Sequence, residues 1–135
     1  MKTLTDIIEK IFPVVNVTSV KNTLSGGAVY RFSKPDNTQG KHIVILSLPI
    51  SNNEDPVTQT SVVIINCFAE NFPNGMSDDI SINSIMDAVI SVLEAYTSGT
   101  QTYFEFVIES QSLFKDVDDE LMSYGSLRLK CTIES

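Results

Sequence analysis

The segment from Ile80 to Tyr96 constrains the fold most, because its apolar residues recur at the period of an α-helix. They form one stripe on a helical wheel, made of Ile82, Ile85, Met86, Val89, Leu93 and Tyr96, with Ile90 and Val92 beside it. The opposite side is polar and consists of Ser84, Asp87, Ser91 and Glu94. A helix with one broad apolar face must bury that face, so the rest of the chain has to supply a surface that covers it.

Both ends of this helix are marked in the sequence. Asp78 and Asp79 lie where the helix dipole is positive, and carboxylates are stabilising there. Ser77 or Ser81 can accept a hydrogen bond from a free N–H group of the first turn. Ser98–Gly99 supplies a C-terminal stop, because glycine adopts the left-handed conformation that commonly ends a helix.

The N-terminal segment predicts a second, shorter helix. Apolar residues recur at helical spacing from Thr3 to Phe12, and Thr3 or Thr5 can cap the first turn. We expect Pro13 to end this helix, because proline removes a hydrogen bond and clashes with the preceding turn. The segment lacks the apolar core and cleavage site of a secretory leader, and no run approaches the ~20 apolar residues of a membrane span. We therefore expect an intracellular, soluble protein.

Three strands are expected after this helix. β-Branched and aromatic residues from Val14 to Val20, and again from Ala28 to Ser33, predict two strands. Leu24–Gly27 contains a turn signal, so we expect these two strands to form a hairpin. The polar residues from Lys34 to Lys41 predict a loop at the tip of a second hairpin, which leads into a third strand from His42 to Leu48.

The second half of the chain predicts three more strands around the long helix. The segment from Ser61 to Glu70 is apolar on both faces, which is typical of a strand covered on two sides. We place it in the middle of the sheet or at a subunit contact. Strict alternation from Thr102 to Glu109, and from Ser126 to Glu134, predicts two half-buried antiparallel strands. Ile50–Thr60 is rich in loop formers and predicts an exposed, mobile loop, and Gln111–Gly125 predicts a linker with a helical turn.

Together these elements predict an α+β fold. An antiparallel or mixed β-sheet packs against one long helix, with a short N-terminal helix and a protruding β-hairpin. No repeat or break in composition divides the 135 residues, so we expect residues 1–135 to form a single domain with a sizeable core. Cys67 and Cys131 both lie in apolar segments, where we expect free, buried thiols rather than a disulfide or a metal site.

The charge of the chain is unevenly distributed. Its net charge is −8, and between Ser51 and Glu120 thirteen acids accompany a single base, Lys115, while the remaining segments carry four acids and eight bases. Affinity for nucleic acid comes largely from Lys and Arg, so this balance argues against a phosphate-binding surface as the main function. Only 19% of the residues are charged, which we interpret as surface reserved for protein contacts.

No constellation in the sequence indicates catalysis. His42, the only histidine, begins an apolar strand without a nucleophile or carboxylate at the spacing of a triad, so we interpret it as structural. Asp78 and Asp79 are interpreted as dipole partners of the helix. The run Asp116–Glu120 begins like a calcium loop but continues with Leu121 where an EF-hand needs glycine. We therefore predict no enzyme activity and no catalytic, cofactor-binding or metal site.

Three segments carry a resemblance to a known family. They are the apolar strand SVVIINCFAE (Ser61–Glu70), the helix SINSIMDAVISVLEAY (Ser81–Tyr96) with its small-residue stop, and an aspartate-containing loop ahead of GSLRLKCTIE (Gly125–Glu134). In this order they resemble the tail-terminator and head–tail joining proteins of long-tailed bacteriophages, the tail-completion group that includes the lambda-type terminator. The resemblance implies a virion protein, assembled in the cytoplasm of a bacterial host, that forms a homo-oligomeric ring of six subunits. It further implies contacts with tail-tube and head-neck proteins, and a lumen through which DNA passes without specific binding.

The residues themselves leave two other classes of function open. One is a small α+β ligand-binding or regulatory domain, in which helix and sheet enclose a pocket. The other is an enzyme that uses Asp78, Asp79 or His42, which requires these side chains to converge in one cleft. A ring requires a head-to-tail contact between subunits. The low charged content, the two-faced strand Ser61–Glu70 and the segregated charge favour such a contact.

Overall fold

The computed structural model describes residues 3–48, 51–52, 58–96, 104–117 and 119–134. Its helices are α1 (Leu4–Val15), α2 (Thr18–Lys21), a 3₁₀ turn (Asn22–Leu24) and α3 (Asp79–Glu94). Its strands are β1 (Val29–Arg31), β2 (His42–Ser47), β3 (Ser51–Asn52), β4 (Thr58–Glu70), β5 (Phe104–Lys115) and β6 (Met122–Glu134). In the described part of the chain, every helix is too short or too polar to cross a bilayer.

The strands form one mixed sheet in the order β1–β2–β4–β6–β5. β1 and β2 are parallel, whereas the pairs β2–β4, β4–β6 and β5–β6 are antiparallel. β3 pairs with the first residues of β4, on the side where β2 pairs further along. A mixed sheet under a helix of 16 residues confirms the predicted α+β fold, and β4 lies in the middle of the sheet, as predicted.

Helix α3 packs its apolar stripe on one face of the sheet. Five residues of the predicted stripe are buried, namely Ile82, Ile85, Met86, Val89 and Leu93. Tyr96, the sixth, is half-buried. The N-cap is Asp78 rather than Ser77 or Ser81, because its carboxylate accepts the backbone N–H of Ser81 at 3.1 Å. The stop predicted at Ser98–Gly99 lies outside the described residues.

The core lies between the helices and one face of the sheet. Alternate residues of β2, β4 and β6 supply the sheet side, including Ile43, Ile45, Val63, Ile65, Leu127, Leu129 and Ile133. Cys67 and Cys131 belong to the same layer as free, buried thiols, which confirms the prediction. Burial raises the pKa of each thiol to about 12, so both stay protonated at neutral pH.

The prediction that Pro13 ends the first helix is wrong, because α1 continues through it to Val15. Thr3 caps the helix, as predicted, in reciprocal hydrogen bonds with Asp6. Pro13 lacks the N–H group that would bond to the carbonyl of Glu9. Val15 is nevertheless fully buried on the apolar face of the helix. Burial of this last turn compensates for the missing hydrogen bond.

The predicted hairpin of Val14–Val20 with Ala28–Ser33 does not form. Val14–Val20 supplies the end of α1 and most of α2, where Val15 and Val20 are buried against the helical core. Ala28–Ser33 does contain β1, but this strand pairs in parallel with β2. The loop Lys34–Lys41 is therefore a crossover between parallel strands and not the tip of a hairpin. Burial of the valines in a helical layer overrides their preference for strands.

Strand β4 begins earlier than predicted, and its two faces are covered to different extents. Its first residues lie in the segment Ile50–Thr60, predicted as a loop, where they pair with Ser51–Asn52 of β3. Residues 53–57 lie outside the described part of the chain. Further along β4, Val62 and Ile64 are half-buried, whereas the opposite face is fully buried under the helices. On the same face as Val62 and Ile64, Phe68 is buried with Val44 and Met122 in a second apolar cluster. The predicted cover on both faces is therefore found at Phe68 and is partial at Val62 and Ile64. We term this second face, which no described helix covers, the open face.

The segment Gln111–Gly125, predicted as a linker, mostly belongs to a long hairpin. β5 extends to Lys115 and β6 begins at Met122, so only residues 116–121 form the connection. A bulge between Ile108 and Ser110 shifts the alternation of side chains in β5, and the residues that follow it are polar and exposed. Pairing with β6 holds this part of β5 as a strand without a sequence pattern that indicates it.

Gly125 lies where α3 crosses β6. A Cβ atom at this position would lie 2.2 Å from Met86 Sδ and 2.8 Å from Ile82 Cγ2, well inside van der Waals contact. We therefore expect Gly125→Ala to lower the free energy of unfolding by about 1–3 kcal/mol, because the added methyl group overpacks the helix–sheet contact. Urea denaturation measures this loss, with Ser126→Ala in the same strand as the matched control.

A double-mutant cycle separates overpacking from other effects of the alanine. In a Met86→Ala background the space beside Gly125 is free, so Gly125→Ala should cost clearly less than it does in the wild type. An equal cost in the two backgrounds would contradict the packing argument.

Candidate assembly surface

The open face of the sheet carries a row of aromatic rings, one from each of the strands β1, β2, β4, β6 and β5. In order across the sheet they are Tyr30, His42, Phe68, Tyr124 and Phe114. The centroids of successive rings lie between 4.6 and 6.2 Å apart, and His42 stacks on Phe68 at the shortest of these distances. Cross-strand ring pairs of this kind stabilise a sheet. The row therefore supports a sheet face that no helix covers among the described residues.

Lys34 of the crossover loop lies over the middle of this row. Its Nζ is 4.0 Å from the centroid of the Phe68 ring and 3.2 Å from Nε2 of His42. An ammonium group only donates, so Nε2 accepts, and Nδ1 carries the proton that it donates to the carbonyl of Gly40 at 2.8 Å. Lys34 also pairs with Asp116 at 3.7 Å, in the turn between β5 and β6. These contacts fasten the crossover loop to the hairpin turn.

His42 is therefore a neutral group inside a charged cluster. Burial is the main cause that lowers the pKa of His42, and the Lys34 ammonium lowers it further. The Gly40 carbonyl and the Asp116 carboxylate act in the opposite direction. His42 is only 1% exposed and both of its ring nitrogens are engaged within the fold.

The turn between β5 and β6 contains the acidic run Asp116–Glu120 and is fastened to the connector before α3. The side-chain amide of Asn71 donates to the carbonyl of Glu120 at 3.0 Å, and its backbone N–H donates to the carbonyl of Leu121 at 2.7 Å. The Ser123 hydroxyl donates to Asn71 Oδ1 at 2.6 Å. In the residues that the structure describes here, the predicted helical turn does not form. Within the described ranges no three His, Cys, Asp or Glu side chains are grouped so that they could hold a metal ion.

Exposed apolar side chains concentrate at the end of the molecule built by this turn, the connector and the start of α3. We term this surface the hairpin end, and its large exposed apolar residues are Phe72, Met76, Ile80, Leu113, Phe114, Val117 and Leu121. Val117 is 93% exposed and Ile80 is 81% exposed. Of the nine large apolar residues that are exposed in the described chain, seven lie here. Such clustering differs from the singly scattered apolar residues of an ordinary surface and is typical of contact sites.

Acidic residues border the hairpin end. Asp79 lies in the first turn of α3, and Asp119 and Glu120 lie in the hairpin turn. Lys115, the basic residue between Ser51 and Glu120, lies at the end of β5. Its Nζ donates to the carbonyl of Gly75 in the connector at 3.3 Å. The resulting surface is apolar with an acidic border, and hydrogen bonds hold the segments that build it together.

The structure does not bring the residues considered for catalysis together. The Asp78 carboxylate caps α3 on the helical side of the sheet, where it also accepts the Ser81 hydroxyl at 2.7 Å. Asp79 is exposed beside it, whereas the ring of His42 stacks on the open face. Ser25–Gly27 forms a turn in which Ser25 and Gly26 have left-handed backbone angles.

The hairpin end is not apparent from the sequence alone. The available signal was the position of Val117 and Leu121, two apolar residues inside a predicted polar linker. Their contribution depends on Phe72, Met76 and Ile80, which lie roughly forty residues earlier in the chain and adjoin them only through the hydrogen bonds of the folded connector.

Comparison with known proteins identifies the fold but not a family. No protein-family model matches the chain, and no curated protein matches it. Among solved structures, a chain from the virion of a native gene transfer agent particle is similar over 93% of this chain and 92% of its own length, with a TM-score of 0.61 and 13% sequence identity. At this identity the similarity shows a shared fold.

His42 generates a prediction about stability and pH. Its pKa is lowered in the folded state, so the unfolded chain binds the proton more readily. The stabilising contribution is therefore fully present above the unfolded pKa of about 6.5 and is lost as the pH falls below that value. We expect the free energy of unfolding to decrease from about pH 7.5 to about pH 5.5 in the wild type.

The matched variant is His42→Gln, whose amide oxygen can still accept a hydrogen bond from Lys34 but does not titrate. Urea denaturation across this pH range should give a shallower slope for the variant than for the wild type. Parallel slopes would contradict the assignment of a neutral, buried imidazole.

Proposed function

We propose that this chain is a structural component of a phage-like virion, which ends the tail tube and joins it to the head as a ring of identical subunits. The observation that carries the proposal is the hairpin end, where large apolar side chains are exposed at one end of the molecule, on segments joined by hydrogen bonds and bordered by acidic residues. Two further findings support it. The fold is similar to that of a chain from a gene transfer agent virion, and three segments resemble tail-terminator proteins.

The physical properties of the hairpin end suit assembly. Burial of apolar surface against a partner yields roughly 25 cal/mol for each Å² removed from water. Asn71 and Ser123 already hold the connector and the hairpin turn together, so less conformational entropy is lost when a partner binds. The acidic border selects a partner with basic residues and disfavours contacts with like-charged surfaces. Tail-tube and head-neck proteins are the partners that this function requires.

A non-enzymatic role agrees with how the reactive side chains are used. Asp78 caps a helix and His42 bonds to Gly40 and Lys34. The two thiols are buried with raised pKa values. Each of these groups has a structural function, and none shares a cleft with another candidate.

The acidic balance of the chain suits a ring around DNA. Between Ser51 and Glu120 acids outnumber bases by thirteen to one. Like charge on the ring and on the phosphate backbone prevents adhesion, so DNA can pass through the lumen without specific binding. The subunits assemble in the cytoplasm of the bacterial host.

One feature favours a ligand-binding domain as a second candidate. A hollow of about 630 Å³ between α3 and β5 has Ile80, Ile82, Met86 and Leu113 in its walls, and small-molecule sites have volumes of this order. A metabolite that copurifies with the chain, found by native mass spectrometry, would favour this candidate.

Deletion of the gene in the host that produces the particles tests the proposed function. We expect heads without tails, or tubes of uncontrolled length, and rescue by the wild-type chain. The double variant Val117→Ser/Leu121→Ser removes two highly exposed apolar side chains, so it should fold normally. It should nevertheless yield at least about tenfold fewer tailed particles, because the partner loses its apolar contact. Ser91→Ala on the exposed face of α3 is the matched control and should rescue fully.

Electron microscopy of the particles measures tail length and shows whether tails are joined to heads. Tails of normal length joined to filled heads in the deletion strain would contradict the proposed function. Full rescue by Val117→Ser/Leu121→Ser would show that the hairpin end is not the contact surface.

A further inference from the structure

The two edge strands of the sheet differ in length, and only one of them lies beside a helix. β1 has three residues, and α1 lies beside it, with Arg31 paired to Glu9 and placed 5.0 Å from the centroid of the Phe12 ring. β5 has 12 residues and pairs with β6 on its inner side. No backbone hydrogen bond from any other described residue reaches its outer side. A long unpaired edge of this kind is a template for another chain.

A groove runs along the free edge of β5, on the face of the sheet that the helices cover. Besides the pocket near Leu113, a second pocket of about 440 Å³ lies further along the strand, with Leu93, Tyr96 and Phe106 in its walls and Glu94 at its border. Glu105 lies on the other face of the strand. Val107, on the other face of the same strand, is 63% exposed. The edge therefore offers free backbone groups, apolar hollows and carboxylates together.

The sides of the sheet carry opposite charge. Residues 78–120, which build α3, β5 and the hairpin turn, contain ten acids and one base. Residues 3–48, which build α1, α2, β1 and β2, contain five bases and three acids. Since β1 and β5 are the opposite edges of one sheet, the acidic segment builds one edge and the net basic segment builds the other. Arg128 and Lys130 lie on β6 next to the acidic edge, and Arg128 pairs with Glu109 of β5.

Phe32, directly after β1, combines an unfavourable backbone angle with an exposed side chain on the basic side. Its φ angle is 64°, in the left-handed region, which is unfavourable for a bulky side chain. Phe32 is 38% exposed although it directly follows a strand of the sheet. Strained residues of this kind persist where they have a function. The ring of Phe32 is the size of group that fits an apolar pocket, and Phe32 follows Arg31 directly in the chain.

We propose that the acidic β5 edge of one subunit binds the basic β1 side of a second copy of this chain, with Phe32 of the second copy in the groove bordered by Glu94 and Arg31 of the second copy facing the edge that carries Glu94 and Glu105. The inference rests on the proposed function, because it names the contact that builds the ring. The two surfaces lie on opposite sides of one molecule, so the contact is heterologous and propagates from subunit to subunit until it closes.

Charge-reversal variants test this contact. Their association is measured by sedimentation velocity at protein concentrations up to about 1 mM. We expect the wild type to form oligomers beyond a dimer, and we expect Arg31→Glu alone and Glu94→Lys/Glu105→Lys alone each to weaken association by at least about tenfold. An equimolar mixture of these two variants should recover association, because each acidic side then meets a basic one. The variants are checked for folding by circular dichroism.

Phe32→Gly provides a second and independent readout. Glycine adopts the left-handed conformation without strain, so this variant should be at least as stable as the wild type in urea while its association is weakened. A purely structural Phe32 would instead give a loss of stability and unchanged association, which would overturn its role in the contact.

The remaining outcomes are also decisive. A wild type that stays monomeric at about 1 mM, association that stops at a dimer, or a mixture that does not recover would overturn the heterologous contact. The deletion experiment tests the proposed function independently of this contact. A terminator phenotype together with charge-independent association rejects only the contact, whereas charge-dependent association together with normal particles in the deletion strain rejects only the proposed function.

Discussion

The contact of α3 with the sheet is the constraint on which the rest of the structure depends. One helix of 16 residues lies over β4 and β6, where Gly125 lets it approach the strands. A single helix is too narrow to cover a sheet of five main strands, and α1 and α2 complete the cover on the β2 side only. The outer half of β5 therefore projects beyond the helical layer. The exposed apolar residues of the hairpin end and the free edge of β5 both result from this incomplete cover.

The open face of the sheet is stabilised in a different way. Rings from five strands lie side by side, and Lys34 lies over Phe68 while it pairs with Asp116 of the hairpin turn. The crossover loop, the open face and the hairpin turn are thereby connected, and Asn71 connects the same turn to the helical side. Both sides of the sheet thus support the hairpin end, which is what a contact surface needs if it is to bind a partner without a large loss of entropy.

The elements with strong periodicity could be predicted from the sequence, and the others could not. The apolar stripe of α3 and the alternation in β6 each identify one structure and one buried face. Val14–Val20 has the residue types of a strand, but its valines are buried by helices that only the folded chain provides. Ser110–Ser112 has no pattern at all and is a strand because β6 pairs with it. The candidate site was missed for a related reason, since contacts such as Lys34 with Asp116 join residues far apart in the sequence.

The central claim is that the surfaces left uncovered by the helical layer are buried in an assembled particle. Electron cryomicroscopy of purified particles from the producing host tests it directly, because it locates this chain and its neighbours. The account predicts a closed ring at the junction of head and tail, with Val117 and Leu121 of each subunit buried against another virion protein. A particle that lacks this chain at the junction, or contains it with the hairpin end in solvent, would contradict the account.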